Sequence, residues 1–192
     1  MKKKIAIVLP FKEIYSENHA GAASIWVKDY NDHSKLSNNT VIYGNLDKNL
    51  KPITNNFKNL NLKRSVFSKN KLYIESFYND YIKYNFKIIE IHNRPEYLNF
   101  LTKKNVKAKI IFFFHNNPKE IRGSKTINER LKILENTDKI FFVSKWTMKK
   151  FFEDLPFKNK SNCEILYPSI KKPKKFIENR KNKIIFTGKL NS

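Results

Sequence analysis

Short, continuous apolar runs alternate along this chain with stretches in which apolar residues recur every three or four positions. The runs predict buried strands, and the recurring spacing predicts amphipathic helices. Strands are predicted at Ile5–Leu9, Val41–Tyr43, Ser65–Phe67, Lys87–Ile91, Lys109–Phe114, Lys139–Val143 and Glu164–Tyr167. Helices are predicted at Gly21–Lys35, around Ile74–Ile82, at Glu96–Lys104, around Ile127–Leu134, and after Ser144, which can cap the last of them.

This alternation predicts an α/β fold with a doubly wound, mostly parallel, Rossmann-like sheet. We expect residues 1–170 to form one domain. Residues 171–182 carry the Lys/Pro-rich composition of a basic linker. Beyond them, residues 183–192 contain a short apolar run that ends at Gly188, which predicts the first strand of a further domain.

The chain is strongly basic, with 39 Lys and Arg against 17 Asp and Glu and a net charge of +22. Such a field attracts nucleic acid, anionic lipid surfaces and phosphorylated small molecules. The lysines spread along the whole chain and the aromatic residues fit core positions, which disfavours nucleic acid as the partner. A second interpretation stays open, in which the lysines only solvate the surface.

One cysteine, Cys163, excludes a disulfide within the chain and a metal site built on cysteines. No apolar run approaches the roughly 20 residues of a membrane span. The run Ile5–Leu9 is too short for a signal peptide, and Pro10 interrupts it. We therefore expect a cytoplasmic protein that can lie at the inner face of a membrane.

Polar residues follow the predicted strands, where a parallel sheet gathers its ligand-binding loops at one edge. These candidates are His19, His92, Asn93, Arg94, Glu96, His115, Asn116 and Ser144. His115 is the strongest candidate for a catalytic residue. The buried strand before it anchors its backbone, and an imidazole can move a proton or bind a hydroxyl. Alternatively, His115 and Asn116 only close a strand, and Arg94 and Glu96 form a surface ion pair.

Gly21 opens the first predicted helix, where backbone N–H groups can meet a phosphate. The usual dinucleotide and P-loop fingerprints, GxGxxG and GxxxxGK[ST], are absent from the sequence. It also lacks HExxH and GxSxG, so metal hydrolase and serine hydrolase functions have no support. We expect no metal or other cofactor.

Several segments of the chain follow one another in an order and spacing that match a known family. They are the strand Ile5–Leu9, the helix start His19–Ser24, the strand end Phe114–Asn117, the segments Asp138–Ser144 and Glu164–Pro168, and the closing Ile185–Leu190. In these features the chain resembles the N-terminal half of GT-B glycosyltransferases, in the retaining family of group 1 type (family 4). The order of the segments carries the resemblance, because no single one is specific.

The resemblance implies an enzyme that moves a sugar from a nucleotide-diphosphate sugar to an acceptor hydroxyl, between two Rossmann-like domains. The N-terminal domain would hold the acceptor, a glycan or lipid-linked molecule in cell-surface glycan synthesis. His115 would be the catalytic contact near the reacting carbon, and Gly21, Gly188 and Lys189 would bind the donor phosphates. Lys189 stands where the family usually has an arginine, so the bidentate fork is lost. The acceptor contacts would come from His19, His92, Asn93, Arg94, Glu96, Asn116 and Ser144.

The family's Glu-x7-Glu region and nucleotide pocket would lie beyond Ser192. A pre-organised transfer site needs both walls of the cleft. The chain alone is therefore expected to be a poor catalyst, with a further domain or a second chain supplying the donor side. The alternatives are a basic nucleic-acid-binding domain and a non-catalytic sugar- or nucleotide-binding α/β domain.

Overall fold

The computed structural model describes residues 4–60 and 68–168. In this part of the chain all strands pair in parallel in a single sheet. The strands are β1 (Ile5–Val8), β2 (Thr40–Gly44), β3 (Phe57–Asn59), β4 (Ile88–His92), β5 (Lys109–Phe114), β6 (Lys139–Phe142) and β7 (Cys163–Ile165). The helices are α1 (Ala22–His33), α2 (Lys69–Tyr84), α3 (Pro95–Lys103), α4 (Ile127–Glu135) and α5 (Lys145–Phe152), with a 3₁₀ turn at Ser37–Asn39. The predicted α/β fold class is confirmed.

The strands are ordered β3-β2-β1-β4-β5-β6-β7 across the sheet. The chain first builds outward from β1 to β3, then returns to place β4 on the other side of β1. The crevice at this reversal lies between the carboxyl ends of β1 and β4, which is where open α/β sheets bind ligands. The topology therefore points to the loops after β1, β4 and β5.

Two hydrophobic clusters cover the two faces of the sheet. Along β5, Phe112 and Phe114 pack on one face and Phe113 packs on the other, because successive strand residues point to opposite sides. The consecutive phenylalanines that indicated this strand in the sequence therefore contribute to the hydrophobic clusters on both faces of the sheet. The first cluster packs against α2 and α3, and the second receives Trp26 and Val27 of α1.

Two tyrosines tie the helices to the ends of the central strands. Tyr73 of α2 donates its hydroxyl hydrogen bond to the carbonyl oxygens of Leu9, at 2.9 Å, and Tyr43, at 3.2 Å. Tyr97 of α3 accepts a hydrogen bond from the backbone N–H of Phe11 at 3.0 Å. These contacts fix the chain as it leaves β1 and so position the loop that leads into α1.

A buried arginine joins two loops near α4 and α5. Arg130 is 1% exposed and donates to the backbone carbonyls of Lys125 and Glu153, both at 2.8 Å, and of Ser124 at 3.4 Å. Charged groups are rarely buried unless they are hydrogen-bonded in this way. The loop before α4 is thereby held to the end of α5.

Strand β3 was missed, because Phe57–Asn59 is only three residues long and offers one apolar residue as a signal. The strand predicted at Ser65–Phe67 lies outside the described residues, as do the linker 171–182 and the strand in 183–192. Within the described residues, no helix combines the length and apolar character needed to cross a membrane.

Candidate functional site

Two histidines meet at the carboxyl edge of the sheet. His92 is the last residue of β4, and His115 directly follows β5. Nδ1 of His92 lies 2.8 Å from Nε2 of His115, a hydrogen-bond distance. They come together because β4 and β5 pair in parallel, with His92 opposite Phe113. The sequence predicted that both residues lie at this edge. Their direct contact depends on the register in which β4 and β5 pair.

Asn93 clamps the two strand ends together. Its backbone N–H donates to the carbonyl of Phe113 at 2.9 Å, and its Oδ1 accepts from the backbone N–H of His115 at 2.8 Å. The residue adopts φ 51°, a left-handed conformation that asparagine tolerates better than most residues. Asn93 is buried, so its side chain serves to hold the backbone of His115.

The environment of the two rings is aromatic. Phe113 stacks on His92 at 4.6 Å, and Trp26 of α1 contacts both His92 and His115, at 5.7 and 5.5 Å between ring centroids. His92 has 0% exposure, whereas His115 is partly exposed. Burial lowers the pKa of His115 to about 4; burial and then the neighbouring His115 lower the pKa of His92 well below its usual value. Both imidazoles are therefore neutral near pH 7.

The complete burial of His92 bears on its expected role. An acceptor cannot reach a ring with no exposed surface, so direct contact between His92 and an acceptor does not fit this structure. The ring instead contacts His115 from the buried side, through the hydrogen bond between Nδ1 of His92 and Nε2 of His115. His115 is the member of the pair that a ligand can reach.

Glu90 of β4 lies beneath the histidines on the same face of the sheet, because it precedes His92 by two residues. It is 3% exposed, and its Oε1 accepts a long hydrogen bond of 3.5 Å from the hydroxyl of Tyr30. Burial raises the pKa of Glu90 to about 7, against a usual 4.5. Glu90 was not among the predicted site residues, although a charged residue within the otherwise apolar run Ile88–Ile91 is a signal for such a group.

Glu90→Gln should change how stability depends on pH. Between pH 4.5 and about 7 the unfolded chain ionises Glu90 while the folded chain keeps it protonated, so rising pH costs the native protein stability through this group. Glutamine does not titrate. The unfolding free energy of the variant minus that of the native protein should therefore increase by about 3 kcal/mol from pH 4 to pH 8. Urea titrations across this range measure it.

The histidines act in the opposite direction, since their lowered pKa values raise stability as pH climbs from about 4 toward 6.5. They are present in both proteins and cancel in the difference. Glu17→Gln, at an exposed carboxylate, controls for the loss of an acidic residue. A flat difference for Glu90→Gln across the range would contradict the buried, protonated state.

Arg94 and Glu96 follow β4 but do not form the ion pair considered above. Glu96 pairs with Arg122 instead, at 3.2 Å between Oε1 and Nε. The guanidinium of Arg94 donates to the carbonyl of Asn93 at 3.1 Å, while its Nε is buried without a hydrogen-bond partner among the described residues. Arg94 therefore adds a positive group at the loop that begins after β4.

The start of α1 is occupied by a carboxylate of the chain itself. Glu13 accepts a hydrogen bond from the backbone N–H of Ser24 at 3.0 Å. A Cβ atom on Gly21 would lie 2.4 Å from Oε1 of Glu13, so a side chain at position 21 would push this carboxylate away from its present position. The helix start predicted to receive a donor phosphate thus already holds an anionic group, a contact that no sequence pattern indicated.

The remaining candidates are more dispersed. Ser144 caps α5 as predicted, with its Oγ accepting from the backbone N–H of Thr147 at 3.1 Å. His19 and Asn116 are exposed in loops after β1 and β5. Gly188 and Lys189 lie outside the described residues. Their roles, and that of Ser144 toward an acceptor, stay predictions. The described residues contain no cluster of three or more acidic, histidine or cysteine side chains suited to a metal ion.

Comparison with known proteins finds similarity in the fold. No protein-family model and no curated protein sequence matches this chain. Among solved structures, sucrose-phosphate synthase from Thermosynechococcus elongatus aligns with a TM-score of 0.56 and 11% identity, over 86% of this chain and 48% of that one. A shorter form of the same synthase aligns with a TM-score of 0.56 and 9% identity, over 85% of this chain and 88% of that one.

HepE from Anabaena in complex with UDP aligns with a TM-score of 0.55 and 10% identity, over 87% of this chain and 44% of HepE. HepE in complex with UDP-glucose aligns with a TM-score of 0.52. The chain therefore spans about half the length of the longer synthase structure and of HepE. At these identities the likeness concerns the fold.

Proposed function

We propose that this chain is the acceptor-side half of a GT-B glycosyltransferase of the retaining group 1 type (family 4). The enzyme would transfer a sugar from a nucleotide-diphosphate sugar to an acceptor hydroxyl. The observation that carries the proposal is the pair His92 and His115 at the carboxyl edge of the parallel sheet. The fold likeness to a sugar-phosphate synthase and to a protein bound to UDP-glucose supports the same reading.

His115 would act by hydrogen bonding. With a pKa of about 4 it is neutral at pH 7 and too weak a base to remove a proton from an alcohol efficiently. A neutral imidazole on a fixed backbone can still hold a sugar hydroxyl in place as charge develops at the reacting carbon. Such pre-organised polar groups contribute without reorganising during the reaction.

Arg94 and Gly21 would assist at the anionic parts of the substrates. Arg94 places a positive charge at the carbonyl of Asn93, the residue that follows His92. A donor phosphate at the start of α1 would have to displace the Glu13 carboxylate, which already accepts the backbone N–H of Ser24. Gly188 and Lys189 are the proposed contacts from the donor side. We propose no metal cofactor.

The donor side itself would come from a further domain or from a second chain. The 48% and 44% coverage of the synthase and HepE is consistent with one of two halves. The N-terminal half of a GT-B enzyme holds mainly the acceptor, which fits the absence of a nucleotide fingerprint in the sequence. The acceptor we propose is a glycan or lipid-linked molecule, handled in the cytoplasm at the inner face of a membrane.

A transfer assay tests the proposed activity. The full gene product that contains this chain is incubated with UDP-glucose and other nucleotide sugars, and release of the nucleoside diphosphate is followed with lipid extracts as acceptors. We expect acceptor-dependent release with one of the donors. The proposal is contradicted if the folded protein, alone and together with the chain that supplies the donor side, neither binds a nucleoside diphosphate by calorimetry nor releases one from any donor.

Association with an anionic membrane is the second part of the proposal, and a feature near α5 favours it. A groove of about 640 Å³ lies between α5, the loop that follows it and β7. Its apolar walls come from Met148, Phe152, Leu155 and Ile165, and Lys145, Lys149 and Lys158 line it too, beside Glu153 and Asp154. Trp146 is 54% exposed on the same helix. Tryptophan together with lysine is typical of membrane interfaces.

The double substitution Trp146→Ser, Lys149→Glu should weaken binding to vesicles that contain phosphatidylserine by at least about tenfold. Each basic residue near an anionic surface contributes about 1 kcal/mol, and the charge reversal removes twice that. Co-sedimentation with vesicles measures the loss. Lys35→Glu, the same charge change at an exposed site after α1, is the matched control. Equal binding to neutral and anionic vesicles by the native protein would contradict membrane docking.

A further inference from the structure

The hydrogen bond between the two histidines has a direction. Both rings are neutral, so one nitrogen of the pair donates and the other accepts across the 2.8 Å contact. Either Nδ1–H of His92 donates to Nε2 of His115, or Nε2–H of His115 donates to Nδ1 of His92. Each choice fixes which nitrogen of His115 carries its proton, and therefore what His115 offers to a ligand.

The far nitrogen of His92 decides between the two arrangements. Its Nε2 is buried and has no hydrogen-bond partner among the described residues. If the proton of His92 were on Nε2, a buried N–H donor would stay unsatisfied, and orphaned donors of this kind are rarer in proteins than under-satisfied acceptors. If the proton is on Nδ1, it is donated to His115 and only a lone pair is left at Nε2.

Neighbouring groups give no reason to hold the proton on Nε2 of His92. Glu90 lies on the same face, yet neither of its oxygens accepts a hydrogen bond from His92. The other close neighbours are Phe113 and Trp26, in stacked and tilted contacts; phenylalanine has no polar atom and the indole N–H of tryptophan can only donate. No described acceptor therefore competes with His115 for the proton of His92.

We infer that His92 is a positioning residue that holds the proton of His115 on Nδ1. His115 accepts through Nε2 from the buried side and presents Nδ1–H on its other side. Nδ1 is absent from the buried atoms without partners, and His115 is partly exposed, so this nitrogen is accessible. His115 is thus a fixed hydrogen-bond donor, suited to an oxygen that gains negative charge.

The identity of the ligand that binds this donor depends on the proposed function, but the assignment of the tautomer does not. In a sugar transfer, Nδ1–H would bind a hydroxyl or phosphate oxygen of the substrates, where a donor is favoured over a base. The backbone of His115 is held independently by Asn93, through the 2.8 Å bond to Oδ1. Changing His92 therefore alters the proton of His115 without releasing its position.

Long-range ¹H–¹⁵N NMR of the imidazole rings tests the inference on the chain as it stands. In the native protein, His115 should show a protonated Nδ1 and an unprotonated Nε2 at pH 7. The exposed His19 and His33 serve as internal references, because free histidines exchange rapidly between both tautomers. A proton on Nε2 of His115 in the native spectrum would overturn the inference, whatever the variants do.

Two variants separate tautomer control from packing. His92→Phe keeps a flat ring against Phe113 but removes the donor, so the His115 signals should shift toward the averaged pattern of His19 and His33. His92→Asn offers an amide N–H near the position of Nδ1 and should restore most of the Nδ1–H pattern. An unchanged His115 tautomer in folded His92→Phe would also overturn the inference.

The same variants in the transfer assay separate the two proposals. His92→Phe should lower kcat with little change in KM for the acceptor, and His92→Asn should recover part of that loss. If no transfer occurs with any donor while NMR shows Nδ1–H on His115, the proposed function fails and the tautomer assignment stands. If transfer occurs and His92→Phe leaves kcat unchanged, the role of His92 in catalysis is refuted.

Discussion

Replacing Arg130 with alanine should lower the free energy of unfolding by about 3–5 kcal/mol, the largest stability effect that we expect from a single polar side chain. Three backbone carbonyls, those of Ser124, Lys125 and Glu153, would lose a charged donor in a largely buried position. The space left by the long side chain adds a cavity cost. Urea denaturation followed by circular dichroism measures the change.

Arg122→Ala is the matched control for Arg130. Its side chain is 87% exposed and pairs with Glu96 at the surface, so its loss should cost no more than about 1 kcal/mol. Arg130→Lys should fall between the two, because lysine keeps the charge but lacks the planar fork that reaches several carbonyls. A loss below about 1 kcal/mol for Arg130→Ala would show that the loops hold together without this residue.

His115→Ala should reduce turnover in the transfer assay by about 10²–10³-fold, the usual cost of removing one pre-organised donor at a reacting centre. The domain should remain folded, because the Asn93 clamp contacts the backbone of residue 115 and not its side chain. Turnover at saturating donor and acceptor is the measurement. Thermal unfolding, monitored in parallel, verifies that the variant is intact.

His33→Ala is the control at an exposed histidine at the end of α1, and its effect on kcat should be small. If His115→Ala retains near-normal turnover, the residue only closes its strand, which was the alternative that the sequence left open. If both variants lose activity together with stability, the loops and not the imidazole account for the effect. The transfer assay and the unfolding curve distinguish these outcomes.

Much of the fold could be predicted because the signals are local. The run Lys109–Phe114 is too apolar and too short for anything but a buried strand, and Ser144 stands where a helix cap is needed. Strand β3 was not predicted because its three residues, at the edge of the sheet, are too few to show a periodicity. Within the stripe Ile74–Ile82, the structure buries Ile74 but leaves Ile82 62% exposed, since the neighbours decide how far a helix face is covered.

For the candidate site, the sequence predicted which residues lie in the same region but not their contacts or burial. Parallel strands bring their carboxyl ends to one edge, so the sequence could assign His92, Asn93 and His115 to a common region. It could not foresee that His92 would be buried, because that depends on Trp26 of α1 packing over the strand ends. Nor could it foresee that Glu13 would occupy the start of α1, since the path of an irregular loop determines that contact.

The sequence by itself determined the helices, the strands other than β3, the parallel sheet and the edge at which its polar loops gather, because each of these follows from periodicity over a few neighbouring residues. The tertiary structure alone decided which side chains touch. The bond between His92 and His115 spans 23 positions, and that between Arg130 and Glu153 also spans 23. Such contacts are set by strand register and helix packing, which bring distant residues within 3 Å and so give His115 its neutral, oriented ring.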